Sequence, residues 1–151
     1  MKKGFSTLEV IITIAISAVL LAIVTHSYQV AQIKKTQAGI VEAVYASLQE
    51  QKAYTQAGKD GQNYGVKFNS NEFIEFTGTS YSPSSNQNKI IALDPRFEIT
   101  ETITNSDNII YFSKLLGNAN QTATITVSHI DARVSPQNIV IEQSGTISVI
   151  E

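Results

Sequence analysis

Lys2-Lys3-Gly4-Phe5-Ser6-Thr7-Leu8-Glu9 opens the chain, and an apolar run from Val10 to Val24 follows it directly. Between Phe5 and Val24 every side chain except Glu9 is apolar, small or a hydroxyl. A helix of this stretch rises about 30 Å at about 1.5 Å per residue, which matches the hydrocarbon core of a bilayer. An ionisable group in such a helix costs about 2.5 to 3.5 kcal/mol at the centre and less near an end. Glu9 lies near the amino end, so its cost is reduced but not removed. A cation compensates a buried carboxylate best, and the nearby candidates are Lys2, Lys3 and the amino terminus of the mature chain.

Three readings of the segment compete. A secretory signal has a basic start, an apolar core and a small-x-small cleavage site. The start fits, but Ala22-Ile23-Val24-Thr25-His26 offers no good pair of small residues. A plain membrane anchor explains the length and the positive-inside Lys2 and Lys3, but leaves Glu9 without a reason. The third reading supplies one. Gly4-Phe5-Ser6-Thr7-Leu8-Glu9 resembles the amino-terminal signature of type IV pilins and pseudopilins. The resemblance implies a leader of residues 1–4 cut by a prepilin peptidase between Gly4 and Phe5, with N-methylation of the new Phe5 amine. It also implies that Glu9 is an assembly contact, pairing with the terminal amine of a neighbouring subunit. Thr7 stands where the family usually has an aliphatic residue, and His26 where many members carry a proline.

No proline occurs before Pro83 and no glycine between Gly4 and Gly39, so nothing stops the helix at the membrane surface. Beyond the apolar run, Ile33, Ile40, Val41, Val44 and Leu48 recur on one helical stripe, while Lys35, Glu42 and Gln49 share another face. Gly39 interrupts the pattern at about 1 kcal/mol relative to alanine and marks a bend, a close helix contact or simple tolerance. Gly58 suits a left-handed C-cap. The expected helix runs from Phe5 to Ala57, about 80 Å at about 1.5 Å per residue. A two-stranded coiled coil fits less well, because the heptad pattern is not sustained.

After Gly58 the composition shifts to Asn, Ser, Thr, Gly and short β-branched or aromatic runs. Tyr64–Phe68 and Glu72–Phe76 flank Asn69-Ser70-Asn71 as a hairpin. Further strands are expected at Lys89–Leu93, Phe97–Ile103, Ile109–Phe112, Thr122–Ser128, Ile139–Ile141 and Thr146–Ile150, the last two joined through Glu142-Gln143-Ser144-Gly145. Thr77–Asn88 is the longest polar segment and reads as an exposed loop. The fold class is therefore α+β: a long helix packed on a small antiparallel sheet or sandwich. Residues 5–25 form the transmembrane and assembly half of the helix, 26–57 its amphipathic half and 58–151 a β-rich head. The order of these elements, with Ile110-Tyr111-Phe112 running into Gly117 and a closing Ile139-Val140-Ile141 followed by Gly145 and Ile147, is similar to the H-type, GspH- and FimT-like minor pseudopilins and pilins.

Chemistry is sparse. With no cysteine there is no disulfide framework or thiol chemistry. His26 reads as a solvated residue at the membrane or fibre boundary, and nothing joins it to His129. There is no phosphate-binding glycine loop and no nucleophile motif. Asp94-Pro95-Arg96 lacks the clustered oxygen ligands of a calcium site and reads as a turn capped by Asp94, and Asp107-Asn108 likewise. An enzyme, a metal and a cofactor are not expected. The formal net charge of −2, with Lys34-Lys35 the basic pair beyond the leader, gives no support for nucleic acid binding. The resemblance implies an inner-membrane subunit with its head outside, and as partners the prepilin peptidase, other pilin or pseudopilin subunits and a platform protein with an assembly ATPase. The rival is a single-pass anchored binding module that does not polymerise.

Overall fold

The computed structural model describes residues 6–103 and 108–150. One helix, α1, runs unbroken from Thr7 to Gln56, and its 50 residues span about 75 Å. Ser6 caps it, accepting the Leu8 amide at 3.3 Å. At the other end Ala57 N–H donates to Ala53 O, and Gly58 turns left-handed at φ 65°. Gly39 lies within α1, and a Cβ there would meet nothing within 4 Å, so the chain simply tolerates it.

Eight strands follow among the described residues: β1 Tyr64–Asn69, β2 Glu72–Thr77, β3 Lys89–Ala92, β4 Phe97–Ile103, β5 Ile109–Tyr111, β6 Ala123–His129, β7 Gln137–Ile141 and β8 Ile147–Ile150. They form two antiparallel four-stranded sheets, ordered β3-β2-β1-β5 and β4-β6-β7-β8. The strands expected from the sequence are all present, with ends shifted by a residue or two. Phe112 leaves β5 and makes an isolated bridge to Ala119 instead of extending the strand.

The core lies between the second half of α1 and the inner faces of both sheets. Alternation sets it: Ala123, Ile125, Val127 and His129 of β6 are buried, while Thr124, Thr126 and Ser128 face outward. Phe68, Phe73, Phe97, Ile110, Phe112, Ile139 and Ile141 complete it with Val44 and Leu48 of the helix. The tip of the β1-β2 hairpin ties the sheets together, since Ser70 O accepts the Ile99 amide at 2.8 Å, while Asn71 O accepts the Leu93 amide at 2.9 Å and extends the β2-β3 pairing.

One expectation needs refinement. Lys67 pairs with Ile74 and Gly65 with Phe76, so Ile74 and Phe76 point away from the helix, yet both are buried. Segment 77–88 folds back over Phe76. Tyr81 meets Phe76 edge-on at 6.1 Å, and the Lys67 ammonium sits 4.4 Å above the Tyr81 ring. The segment is largely exposed, as its polarity predicts, but its one aromatic residue covers an apolar sheet face. Gly65 makes room there: a Cβ would lie 2.5 Å from Ile110 O and 2.8 Å from the Phe76 ring.

Candidate assembly helix and its seat on the head

The two halves of α1 live in different environments. From Ser6 to Gln29 every residue is exposed, including Leu8, Ile11, Ile14, Leu21 and Val24, whereas packing against the head begins at Val30 and Ile33. A single chain thus leaves an apolar rod uncovered, and α1 is long and apolar enough to cross a membrane. Two of its hydroxyls are satisfied within the helix. Thr13 Oγ1 donates to Glu9 O and Thr25 Oγ1 to Leu21 O, each at 2.7 Å, so neither needs water.

Glu9 stands in the first turn of α1, exposed, and forms no ion pair among the described residues. Its carboxylate is the one charge between Ser6 and Val24. Gly4 and Phe5, the expected cleavage and methylation positions, lie outside the described residues, as do Lys2, Lys3 and Asp107.

The seat of the helix uses more polar residues than the apolar stripe announced. The buried positions Ile33, Gln37, Val41, Val44, Leu48, Gln51 and Thr55 follow one another by three or four residues, with Ser47 beside them. Gln37 Nε2 donates to Val127 O at 3.0 Å and to Ser135 O at 2.9 Å, joining helix and second sheet. Ser47 donates to the Glu75 carboxylate at 3.0 Å, and Glu75 also receives Lys89 at 3.2 Å. Thr55 Oγ1 donates to Gln51 O and accepts the Tyr64 amide, both at 2.9 Å, so the helix end holds the first residue of β1. Counting hydrophobic residues alone misses these positions. Their three- and four-residue spacing was the available signal.

The glycines of the closing pattern meet at the far end. Gly145, at φ 81°, packs on the backbone of Gly117, where a Cβ would fall 2.0 Å from Gly117 O. Lys52 Nζ donates to Gly145 O at 2.9 Å and Gln56 Nε2 to Leu116 O at 3.2 Å. Nearby, Tyr54 and Tyr64 meet edge-on at 5.6 Å with the Lys59 ammonium 3.7 Å above Tyr54. These residues border an open cleft of about 340 Å³ with Glu50, Asp60 and Glu75. Burial, then the hydrogen bond to Asp60, raises the Tyr64 hydroxyl above its usual range.

Asp94-Pro95-Arg96 is a turn. The Asp94 carboxylate accepts the Arg96 amide at 3.0 Å and the guanidinium at 2.9 and 2.7 Å. Those side-chain bonds, followed by the backbone bond, lower its pKa to about 2. His129 lies buried edge-on to Phe97 at 5.2 Å and accepts the Asp131 amide at 3.1 Å, while His26 is exposed on the bare half of α1. No group of three or more His, Cys, Asp or Glu suited to a metal ion occurs among the described residues.

No protein-family profile matches the chain. No curated protein matches it either. Solved structures do. The minor pseudopilin EpsH from the type 2 secretion system of Vibrio cholerae superposes with a TM-score of 0.56 at 10% identity, over 72% of this chain and 91% of that one. The type IV minor pilin FimU of Pseudomonas aeruginosa gives 0.57 at 12% identity, over 73% and 89%. At such identities the likeness concerns architecture, and one long amino-terminal helix on two small antiparallel sheets gives this chain the pilin-like α+β fold.

Proposed function

We propose that the chain is a structural subunit of a type IV pilus or type II secretion pseudopilus, of the H-type minor class and without enzymatic activity. The observation that carries this reading is the bare half of α1: an apolar rod interrupted by one carboxylate that forms no ion pair among the described residues, projecting from a head of pilin-like fold. Such a rod needs a bilayer before assembly and the rods of neighbours after it.

In this reading residues 1–4 are a leader removed by a prepilin peptidase between Gly4 and Phe5, and Phe5 is then N-methylated. Segment 5–25 anchors the subunit in the inner membrane and later lies in the fibre core, 26–57 seats the head, and 58–151 forms the head outside. Glu9 pairs with the Phe5 amine of a neighbour, a charge-assisted contact that offsets the cost of a carboxylate in an apolar setting. Partners are other pilin or pseudopilin subunits and a platform protein driven by an assembly ATPase. The test is fibre entry of Glu9→Ala and Glu9→Gln, with membrane levels measured in parallel. Both variants should accumulate in the membrane at wild-type level and be lost from sheared fibres. Wild-type entry of either would remove the pairing role.

A further inference from the structure

We propose that the base of the head is a membrane-docking surface for anionic phospholipid headgroups, used while the subunit is still anchored. The inference rests on α1 crossing the bilayer, and it concerns what the head then touches. A hydrocarbon core of about 30 Å takes about 20 helical residues. With the Glu9 carboxylate at the cytoplasmic edge of the core rather than inside it, the span shifts about three residues past the end of segment 5–25 and ends at Tyr28, an exposed tyrosine suited to the interface. The headgroup layer adds about 5 to 8 Å on each side. Ile33, the first fully seated residue, lies five positions beyond Tyr28, about 7.5 Å further along the axis. The base of the head therefore falls at the outer edge of the headgroup layer.

The residues at that level suit it. Ile33 lines a shallow cleft of about 340 Å³ with Pro95, Arg96, His129, Ile130, Asp131 and Arg133. Ile130 is 59% exposed, the exposed apolar side chain at this cleft, while Ile90, Leu115, Leu116, Val149 and Ile150 are exposed elsewhere on the head. Lys34 and Lys35 are exposed on the adjoining helix. At the cleft Arg96 and Arg133 stand with two carboxylates, Asp94 and Asp131, and the exposed Lys34 and Lys35, at the same level of the helix with Lys35 on its outer face, carry the excess positive charge. Glu98 stands one residue beyond the base strand's first position, on the outer sheet face. Asp94 engages Arg96 through two short bonds, but Arg133 reaches Asp131 only at 3.6 Å, with both side chains more than half exposed. Such a pair yields readily to a phosphate. An apolar residue among cations, held at headgroup depth by the helix that spans the membrane, matches an anionic lipid surface.

The chain has no tryptophan, so one introduced residue reports its own depth. Full-length Ile130→Trp, Tyr28→Trp and Leu116→Trp variants are placed in nanodiscs containing phosphatidylglycerol or only phosphatidylcholine, with a headgroup spin label as quencher. With phosphatidylglycerol, Trp at 130 should be quenched comparably to Trp at 28, and Trp at 116 should stay unquenched. Adding Arg133→Gln or Lys34→Gln should each reduce the docked-to-undocked ratio at 130 by about fivefold. Quenching at 28 but not at 130 overturns the docking and leaves the membrane anchor standing, whereas no quenching at 28 removes the anchor as well. Equal quenching at 130 in both lipids, or quenching at 116, overturns the anionic surface.

Discussion

Leu48→Ala tests whether the second half of α1 belongs to the core of the head. Leu48 is fully buried, beside Val44 and among the inner residues of both sheets. Truncation removes three carbon atoms, about 2.4 kcal/mol at about 0.8 kcal/mol per buried methylene. The unfilled space raises the loss to about 3 to 4 kcal/mol, within the range of buried leucine truncations. Leu20→Ala is the partner experiment. Leu20 is 57% exposed on the bare half, so the same truncation should change head stability by less than about 0.5 kcal/mol. Urea unfolding of the full chain in mild detergent, followed by near-ultraviolet circular dichroism, separates the two. Five of the six tyrosines lie at Tyr45 or beyond, and there is no tryptophan, so the signal reports on the seat and the head. A loss below about 1 kcal/mol for Leu48→Ala, or an equal loss for Leu20→Ala, would refute the division of the helix into a bare and a seated half.

Two glycines should respond with opposite signs. Gly145→Ala places a Cβ against the Gly117 carbonyl at a positive φ, and thermal unfolding should show a loss of about 2 to 4 kcal/mol. Gly39→Ala meets nothing in the helix and should gain about 1 kcal/mol, the ordinary helical preference. The Asp94 carboxyl is depressed to about 2 from an ordinary 3.8, so its contribution is present above about pH 4 and lost as the pH falls through about 2. Both partners being partly exposed, the gap between wild type and Asp94→Asn should be under about 1 kcal/mol near neutrality and close toward pH 2. A gap that persists in acid would contradict the ion pair as its source.

The secondary structure was legible because its causes are local. Absent proline and sparse glycine carried the helix from the apolar run to Gly58, and alternation in Thr-Ile-Thr-Val-Ser placed β6. Contacts set by chain pairing were not legible. Gln37 is buried because two carbonyls from residues some ninety positions away converge on its amide, which no local pattern encodes. Ile74 and Phe76 break the rule of one buried face, and segment 77–88 returns to cover Phe76 through Tyr81. The cleft beside Tyr54 and Tyr64 and the arginines at the base of the head belong to the same class, assembled from separate elements. Glu9 was conspicuous from its apolar surroundings alone. Its proposed partner is another chain, and among the described residues of one subunit the carboxylate is exposed and forms no ion pair.

The account stands most directly on the mature amino terminus. Intact-mass and fragment analysis of the chain recovered from sheared fibres and from membranes reads it without mutation. A chain beginning at N-methylated Phe5, with Met1 to Gly4 removed, is the predicted result. A chain that retains Met1, or one cut near Ala22 so that the apolar half is lost, would contradict assembly through this helix.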